Sequence, residues 1–219
     1  MLLATFGRVA SHRFALALAT GVFGAFAVPA VFSGLVRPSV TVVPPVSVLA
    51  IPLVGISVSL IALRVAAGLS TDPRSGWLCA ATVGQTPHGT VALRRMMWLL
   101  GILPMAVVFP AITWILWDVT TAAAQVVVAA GLGFIVTEAL TRGFSGIPCT
   151  RPWQPLNANM RAFWPAYLGL VLLITQALPR VMLVLGGSPS FVAVAVPVFG
   201  AGAFLLRSRQ PPPSEEIDD

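Results

Sequence analysis

The side chains best suited to chemistry in this sequence are one glutamate and a pair of arginines, all close to the ends of apolar runs. Glu138 lies near the end of one run, and Arg94 and Arg95 precede another. Charged groups at such positions contact a partner, a substrate or lipid headgroups, or form ion pairs at the membrane interface. Since Glu138 and Arg142 are spaced i and i+4, we predict a weak ion pair between them. Contact between Glu138 and a partner or substrate is the alternative.

Recognisable catalytic and metal-binding motifs are missing from the sequence. It contains no G-x-S-x-G, no H-E-x-x-H and no P-loop. Cys79 and Cys149 share no short spacing with each other or with His12 and His88, whereas structural zinc needs four nitrogen or sulfur ligands. A nucleophile pair of Cys149 and His88 would require two separate loops to meet. We therefore predict no catalytic residue, no metal site and no cofactor.

Polar residues inside the apolar runs are sparse. Gln125, Thr175 and Gln176 are the main examples, and we predict that they hydrogen-bond between helices rather than hold a substrate. Arg180 is expected at the outer membrane interface. No acidic residue lies near the middle of a run, which argues against a self-contained carrier driven by protons or cations.

The composition is typical of a membrane protein. Hydrophobic residues make up 57% of the chain and charged residues 9%, with a mean hydropathy of +0.91, whereas soluble domains average about 25% charged. The sequence pI is about 11.3, and all 13 basic residues are arginine. These arginines stand singly or in pairs beside apolar runs and do not gather on one face. We therefore predict that the protein contacts a lipid bilayer and does not bind nucleic acid.

Six apolar runs position the candidate residues. Each is close to the ~20 residues that cross a hydrocarbon core of ~30 Å as a helix. We predict an all-α, polytopic transmembrane helical bundle in a single domain, residues 1–209, with spans at 15–36, 46–63, 96–117, 119–140, 164–185 and 190–206. The third and fourth spans form a hairpin that turns at Asp118. Ala129 and Gly133, four residues apart, predict close helix packing.

The arginines also predict the orientation, because cytoplasmic loops carry excess arginine. With the N-terminus inside, all but Arg37 and Arg180 of the 13 arginines fall in cytoplasmic segments. We therefore expect both termini and the long segments 64–95 and 141–163 in the cytoplasm, and a multi-pass protein of the plasma (bacterial inner) membrane. Residues 210–219 are expected to form a disordered acidic tail.

The first apolar run leaves one alternative open. Ala25-Phe26-Ala27 resembles the cleavage site of a signal peptide. The run continues beyond this point to Val36, which favours a retained first helix over removal of residues 1–27.

Residues 70–165 carry a family resemblance. In order along the segment stand Trp77 after an acidic turn, the arginine pair, Glu138, and the sequence Ile147-Pro148-Cys149-Thr150 followed by Trp153. This order resembles a group of uncharacterised multi-pass bacterial membrane proteins with an Ile-Pro-Phe-Thr-Cys segment that ends in Pro-Gly-Lys. Here Cys149 stands where the phenylalanine is expected, Arg151 where the cysteine is expected, and Leu156-Asn157 where the Gly-Lys pair is expected. The resemblance implies a multi-pass architecture and no particular activity.

Sequence detail is concentrated in the two long polar segments, while the spans look generic. We therefore predict a non-enzymatic, permease-like or accessory subunit that docks a protein partner, or a second copy of itself, through segments 64–95 and 141–163. The candidate contact residues are Trp77, Arg94, Arg95, Glu138, Arg151 and Trp153. One alternative is a small-molecule transporter that acts as an oligomer. Another is a membrane-embedded lipid-modifying enzyme that holds a headgroup with its arginines.

Overall fold

The structure, a computed structural model, describes residues 10–36, 44–68, 88–141, 176–185 and 188–208, and these ranges are almost entirely helical. The all-α prediction is confirmed for this part of the chain. The helices are α1 (Ala10–Val36), α2 (Val46–Gly68), α3 (88–116), α4 (Val119–Thr141), α5 (Gln176–Leu185) and α6 (Pro189–Ser208).

Four of these helices are long and apolar enough to cross a membrane. Their apolar windows are Arg13–Phe32, Val46–Ala67, Val91–Leu116 and Val119–Thr141. The described apolar parts of α5 and α6 are shorter, Gln176–Leu185 and Ser190–Gly202. The described residues therefore form an all-helical structure with four potential membrane spans, and the count of six remains a prediction.

Several helix ends differ from those expected from the sequence. α2 does not stop at Arg64 but continues to Gly68, because the Arg64 side chain reaches a backbone acceptor on α4 and leaves the helix free to continue. α3 begins at His88, ahead of the predicted span at 96–117, and carries Arg94 and Arg95 into that span. The sequence left open whether the fifth span breaks at Pro179 and Arg180, and the described part of α5 runs through both without a break.

α2 is the central helix of the bundle. Of its apolar window 61% is buried, against 6% for α1. Leu49, Leu53, Ile56 and Leu60 recur at helical spacing and are fully buried, and α2 contacts α1, α3 and α4. α1 lies at the periphery, where Phe23 packs edge-on against Phe109 of α3. Most of its other large apolar side chains, such as Phe14, Leu18 and Phe32, are exposed, as expected for a lipid-facing helix.

Two glycines on α4 allow its neighbours to approach closely. A Cβ atom on Gly133 would lie 2.8 Å from Ile102 Cδ1 of α3, and one on Gly131 would overlap the ring of Phe199 on α6. Neither position has room for a methyl group. Ala129 is fully buried on the same helix, so the small-residue spacing of α4 does mark a packing surface.

The contacts of α6 also give its direction. Phe199 lies beside Gly131, and Gly202 lies beside Ile135. Residue numbers therefore increase together, and α6 runs parallel to α4. The turn at Ser188 consequently lies at the same end of the bundle as the α3–α4 turn at Asp118.

α3 contains a π-helical segment, Met97–Ile102, between the α-helical parts His88–Met96 and Leu103–Leu116. The Leu103 N–H donates to the carbonyl of Trp98, five residues earlier. Pro104 follows directly, and its ring would collide with the carbonyl four residues before it in an α-helix, so the wider turn accommodates it. A π turn holds one residue more than an α turn. The part of α3 before it is therefore rotated about the helix axis by about one residue position, compared with a continuous α-helix.

Asp118 caps the start of α4. Its carboxylate accepts hydrogen bonds from the hydroxyls of Thr120 and Thr121 and, at 2.8 Å, from the Thr121 backbone N–H. Partial burial opposes ionisation of Asp118, but these hydrogen bonds outweigh it and lower its pKa from 3.8 to about 2. The charge at this end of α4 is also favoured by the helix dipole.

Replacing Asp118 with alanine should lower the free energy of unfolding by about 1 kcal/mol, the usual effect of losing a helix cap. Because the folded-state pKa is lowered, the stabilisation by ionised Asp118 is complete above pH 3.8 and is lost as the pH falls towards about 2. Unfolding of wild type and Asp118→Ala in detergent micelles at pH 6 and pH 2 measures both effects. The stability difference between the two proteins should shrink at pH 2; an unchanged difference would contradict this role.

Candidate functional site

The candidate site lies at the end of the bundle where α2 and α4 end and α3 begins, and we call it the ion-pair end. Its centre is an ion pair between Arg94 of α3 and Glu138 of α4, with Arg94 Nη2 2.8 Å from Glu138 Oε2. The Glu138 side chain is 5% exposed and the Arg94 side chain 23% exposed. The carboxylate is therefore buried, while the guanidinium extends towards the surface.

Thr141 supports this ion pair. Arg94 Nε donates to Thr141 Oγ1 at 3.3 Å. The Thr141 hydroxyl in turn donates to the Thr137 carbonyl, at 2.9 Å. This second bond orients the Thr141 oxygen so that its lone pairs face Arg94, and the guanidinium is held at two points.

A second tie joins α2 to α4. Arg64 Nε donates to the carbonyl of Leu140 at 2.8 Å. Leu140 lies in the last turn of α4, where carbonyls lack donors from their own helix and the helix dipole favours a positive charge. The two arginines thus connect three helices at one end of the bundle.

The geometry brings both long polar segments to this end. The segment 69–87 connects Gly68 to His88, and the segment from 142 onwards begins after Thr141. Arg64 and Arg94 hold the adjoining helix ends against α4. The helix ends that adjoin both segments therefore lie at one end of the bundle, and their location on one side of a membrane stays a prediction.

The structure unites only some of the predicted site residues. Arg94 and Glu138 form the ion pair, whereas Arg95 is exposed on the next helical position. The ion pair seen for Glu138 is made with Arg94 of another helix, and the expected partner Arg142 lies outside the described residues. Trp77, Arg151 and Trp153 also lie outside them.

Sequence reasoning missed the roles of Arg64 and Thr141. Arg64 directly follows an apolar run, a position that suggests the end of a span. The sequence feature that favours a longer helix is the group of small residues just after it, 66–68, at which α2 ends. Thr141 gave no signal, because a threonine near a helix end usually faces solvent.

A second polar contact lies inside the bundle, nearer the Asp118 turn. Thr113 of α3 and Gln125 of α4 are both buried, and Thr113 Oγ1 lies 2.7 Å from Gln125 Oε1. Gln125 thus forms the interhelical hydrogen bond expected from the sequence. Its Nε2 atom, however, is buried and has no hydrogen-bond partner among the residues that the structure describes, and an unpaired amide inside a bilayer lowers stability.

An apolar cavity of about 380 Å³ lies between α4, α5 and α6. Its walls include Val128, Leu178, Val181 and Val198, with Ser188 and Ser190 at one edge. Among the described residues that line it, no charged group is present to orient a polar substrate. The cavity suits an acyl chain better than a polar metabolite.

Comparisons with protein-family models, curated proteins and solved structures find no match to this chain. Its function is therefore inferred from its residues and their geometry.

Substitutions at Gln125 and Thr113 should have opposite effects on stability. Gln125→Leu removes the unpaired amide, and the single hydroxyl hydrogen of Thr113 is then free to bond to the Phe109 carbonyl, 3.0 Å away. The free energy of unfolding should therefore stay equal or rise by about 1 kcal/mol. Thr113→Val leaves the whole Gln125 amide unpaired and should lower it by about 1 kcal/mol. Unfolding in mixed detergent micelles measures both, and a loss of stability in Gln125→Leu would refute the cost assigned to Nε2.

Proposed function

We propose that this chain is a non-enzymatic integral membrane subunit, permease-like or accessory, that docks a protein partner through the cytoplasmic segments 64–95 and 141–163. The observation that carries the proposal is the pair of ties at the ion-pair end. Arg94 bonds to Glu138 and Arg64 bonds to the Leu140 carbonyl. These contacts hold the helix ends that flank both segments in one fixed arrangement, as a docking platform requires.

The state of Glu138 favours docking over catalysis. A catalytic or ion-coupling carboxylate must exchange a proton or a ligand, and its environment is tuned for that exchange. Glu138 is instead buried and bonded to Arg94 of the neighbouring helix. Its role is to join helices, which leaves the polar segments as the surface for function.

The proposed contact residues are the aromatic and basic side chains of these segments, Trp77, Arg151 and Trp153. Tryptophan and arginine are the residue types most enriched at the energetic centres of protein interfaces.

Co-purification after extraction in a mild detergent tests the proposal. A tagged protein should retain a specific partner, and Trp77→Ala or Trp153→Ala should weaken the complex about tenfold or more, as expected for a central interface tryptophan. Trp114→Ala is the matched control, because Trp114 is exposed near the opposite end of the bundle. Isolation of a stable monomer without any partner would refute the proposal.

A second candidate function is small-molecule transport by an oligomer. The observation that favours it is the Nε2 atom of Gln125, which is buried within a span and has no hydrogen-bond partner among the described residues. The free energy that its burial costs is not offset by any contact that stabilises the described fold. Flux of a substrate panel into liposomes tests it. Transport that Gln125→Leu abolishes would support this function, and flux no higher than in empty vesicles would exclude it.

A further inference from the structure

Arg94 and Arg95 are adjacent in sequence but have different surroundings. Arg94 turns towards α4, where Glu138 and Thr141 bind it. Arg95 is exposed, and it makes no hydrogen bond or ion pair with the other residues that the structure describes. The pair therefore presents one neutralised and one uncompensated guanidinium at the same end of the bundle.

The helix face that carries Arg95 is otherwise apolar and exposed. Val91 is 44% exposed, Leu99 61%, Leu103 51% and Val107 58%. These residues follow one another at intervals of four, so they form a stripe along one side of α3. An exposed apolar stripe on a membrane span faces lipid, and Arg95 lies near its end.

The depth of Arg95 determines what it can reach. It stands four residues inside the apolar window that begins at Val91, about 6 Å along a helix. A guanidinium at this depth extends along its own apolar stem to the headgroup layer, where phosphate groups lie. Planar guanidinium groups bind phosphate oxygens in pairs.

We propose that Arg95 binds the phosphate of an anionic phospholipid in the leaflet at the ion-pair end, with the acyl chain packed along Leu99, Leu103 and Val107. The charge of Arg95 and the apolar stripe beside it match the two parts of such a molecule. A free phosphate ion has no apolar part to pack against the stripe, so the charge and the stripe together favour a phospholipid over the free ion. This lipid site is independent of the proposed docking of a partner.

Photo-crosslinking in vesicles tests the lipid site. The full-length protein is reconstituted into phosphatidylcholine vesicles that contain a trace of phosphatidylglycerol with a photoreactive group in its acyl chain, and the labelled residues are mapped by mass spectrometry. Label should appear on the stripe at residues 99–107. Arg95→Gln should reduce it about fivefold, the effect of one arginine on binding to anionic lipid, and Arg95→Lys should restore most of it.

Internal comparisons separate the possible outcomes. Label on α5, around the exposed Arg180, serves as the matched control and should not change in Arg95→Gln. The same photoreactive chain on phosphatidylcholine should label the stripe less, and added inorganic phosphate should not displace the phosphatidylglycerol probe. Equal labelling of the stripe in wild type and Arg95→Gln, or by the two lipids, would overturn the proposal. Displacement by inorganic phosphate would show a free-anion site instead.

Discussion

Replacing Glu138 with leucine should lower the free energy of unfolding by about 3 kcal/mol, because it leaves Arg94 beside an apolar side chain without its carboxylate. Arg94→Leu should have a similar effect, since it leaves Glu138 buried and unpaired. The value is at the low end for broken buried ion pairs, because Arg94 still extends towards the surface. Reversible unfolding in mixed detergent micelles provides the measurement.

The double variant distinguishes the ion pair from general damage. Arg94→Leu combined with Glu138→Leu should recover most of the stability, because two apolar residues replace a buried ion pair at little cost. Arg95→Leu is the control, since it removes the same charge from the exposed neighbouring position and should change stability by less than about 0.5 kcal/mol. If the two single effects simply added in the double variant, the ion pair would not couple α3 to α4.

Deleting Leu100 together with Pro104→Ala should leave the fold intact. Leu100 is 42% exposed within the π segment, so its removal converts the wide turn into an α turn without moving either half of α3 relative to the bundle. The proline is replaced because its ring would block the α turn. The free energy of unfolding should change by about 1 kcal/mol or less, within the range of ordinary surface substitutions.

Deletion of Val126 is the matched control. Val126 is 39% exposed on α4, where no π segment is described to absorb the loss. Its removal rotates one half of α4 by about 100° against the other, which separates either Glu138 from Arg94 or Gln125 from Thr113. Thermal unfolding and the yield of monodisperse protein should show a folded Leu100 deletion and an unstable Val126 deletion. Equal tolerance of both would show that the π segment does not set the register.

The π segment explains why the ion pair could not be predicted from the sequence. In a continuous α-helix Arg94 would take the position that Leu93 now occupies in the core. The side chains of both arginines would then point in another direction around the helix axis. A proline in a span predicts an interruption but not whether the chain kinks or widens its turn. The partner of Glu138 therefore depended on packing between helices, and the local i,i+4 partner Arg142 was the only one visible in the sequence.

Other features were accessible from composition and spacing. The described spans near residues 46–63 and 119–140 were apparent, because bilayer thickness fixes the length of an apolar helix. Gly133 was recognised by its spacing from Ala129, since close helix packing requires small side chains. The length of α2 beyond Arg64 was not, because a charged residue ends a span only when its side chain lacks a partner within the protein.

The ties at the ion-pair end give the proposed docking platform a physical basis. Ordering loops at an interface loses conformational freedom, and this loss weakens binding. Helix ends fixed by Arg64 and Arg94 reduce that loss, because the flanking residues are already in place. Variants that break the ion pair should therefore weaken partner binding, although Arg94 and Glu138 are not among the proposed contact residues.

The central claim is that the two long segments emerge together from one end of a membrane-spanning bundle. The two native cysteines report on it, because Cys79 and Cys149 lie one in each segment. Cys79→Ser and Cys149→Ser each leave a single cysteine, and Thr120→Cys in a cysteine-free background marks the opposite end. With a membrane-impermeant maleimide, Cys79 and Cys149 should react only in inside-out vesicles and Thr120→Cys only in right-side-out vesicles. Reaction of Cys79 and Cys149 from opposite sides would contradict the claim.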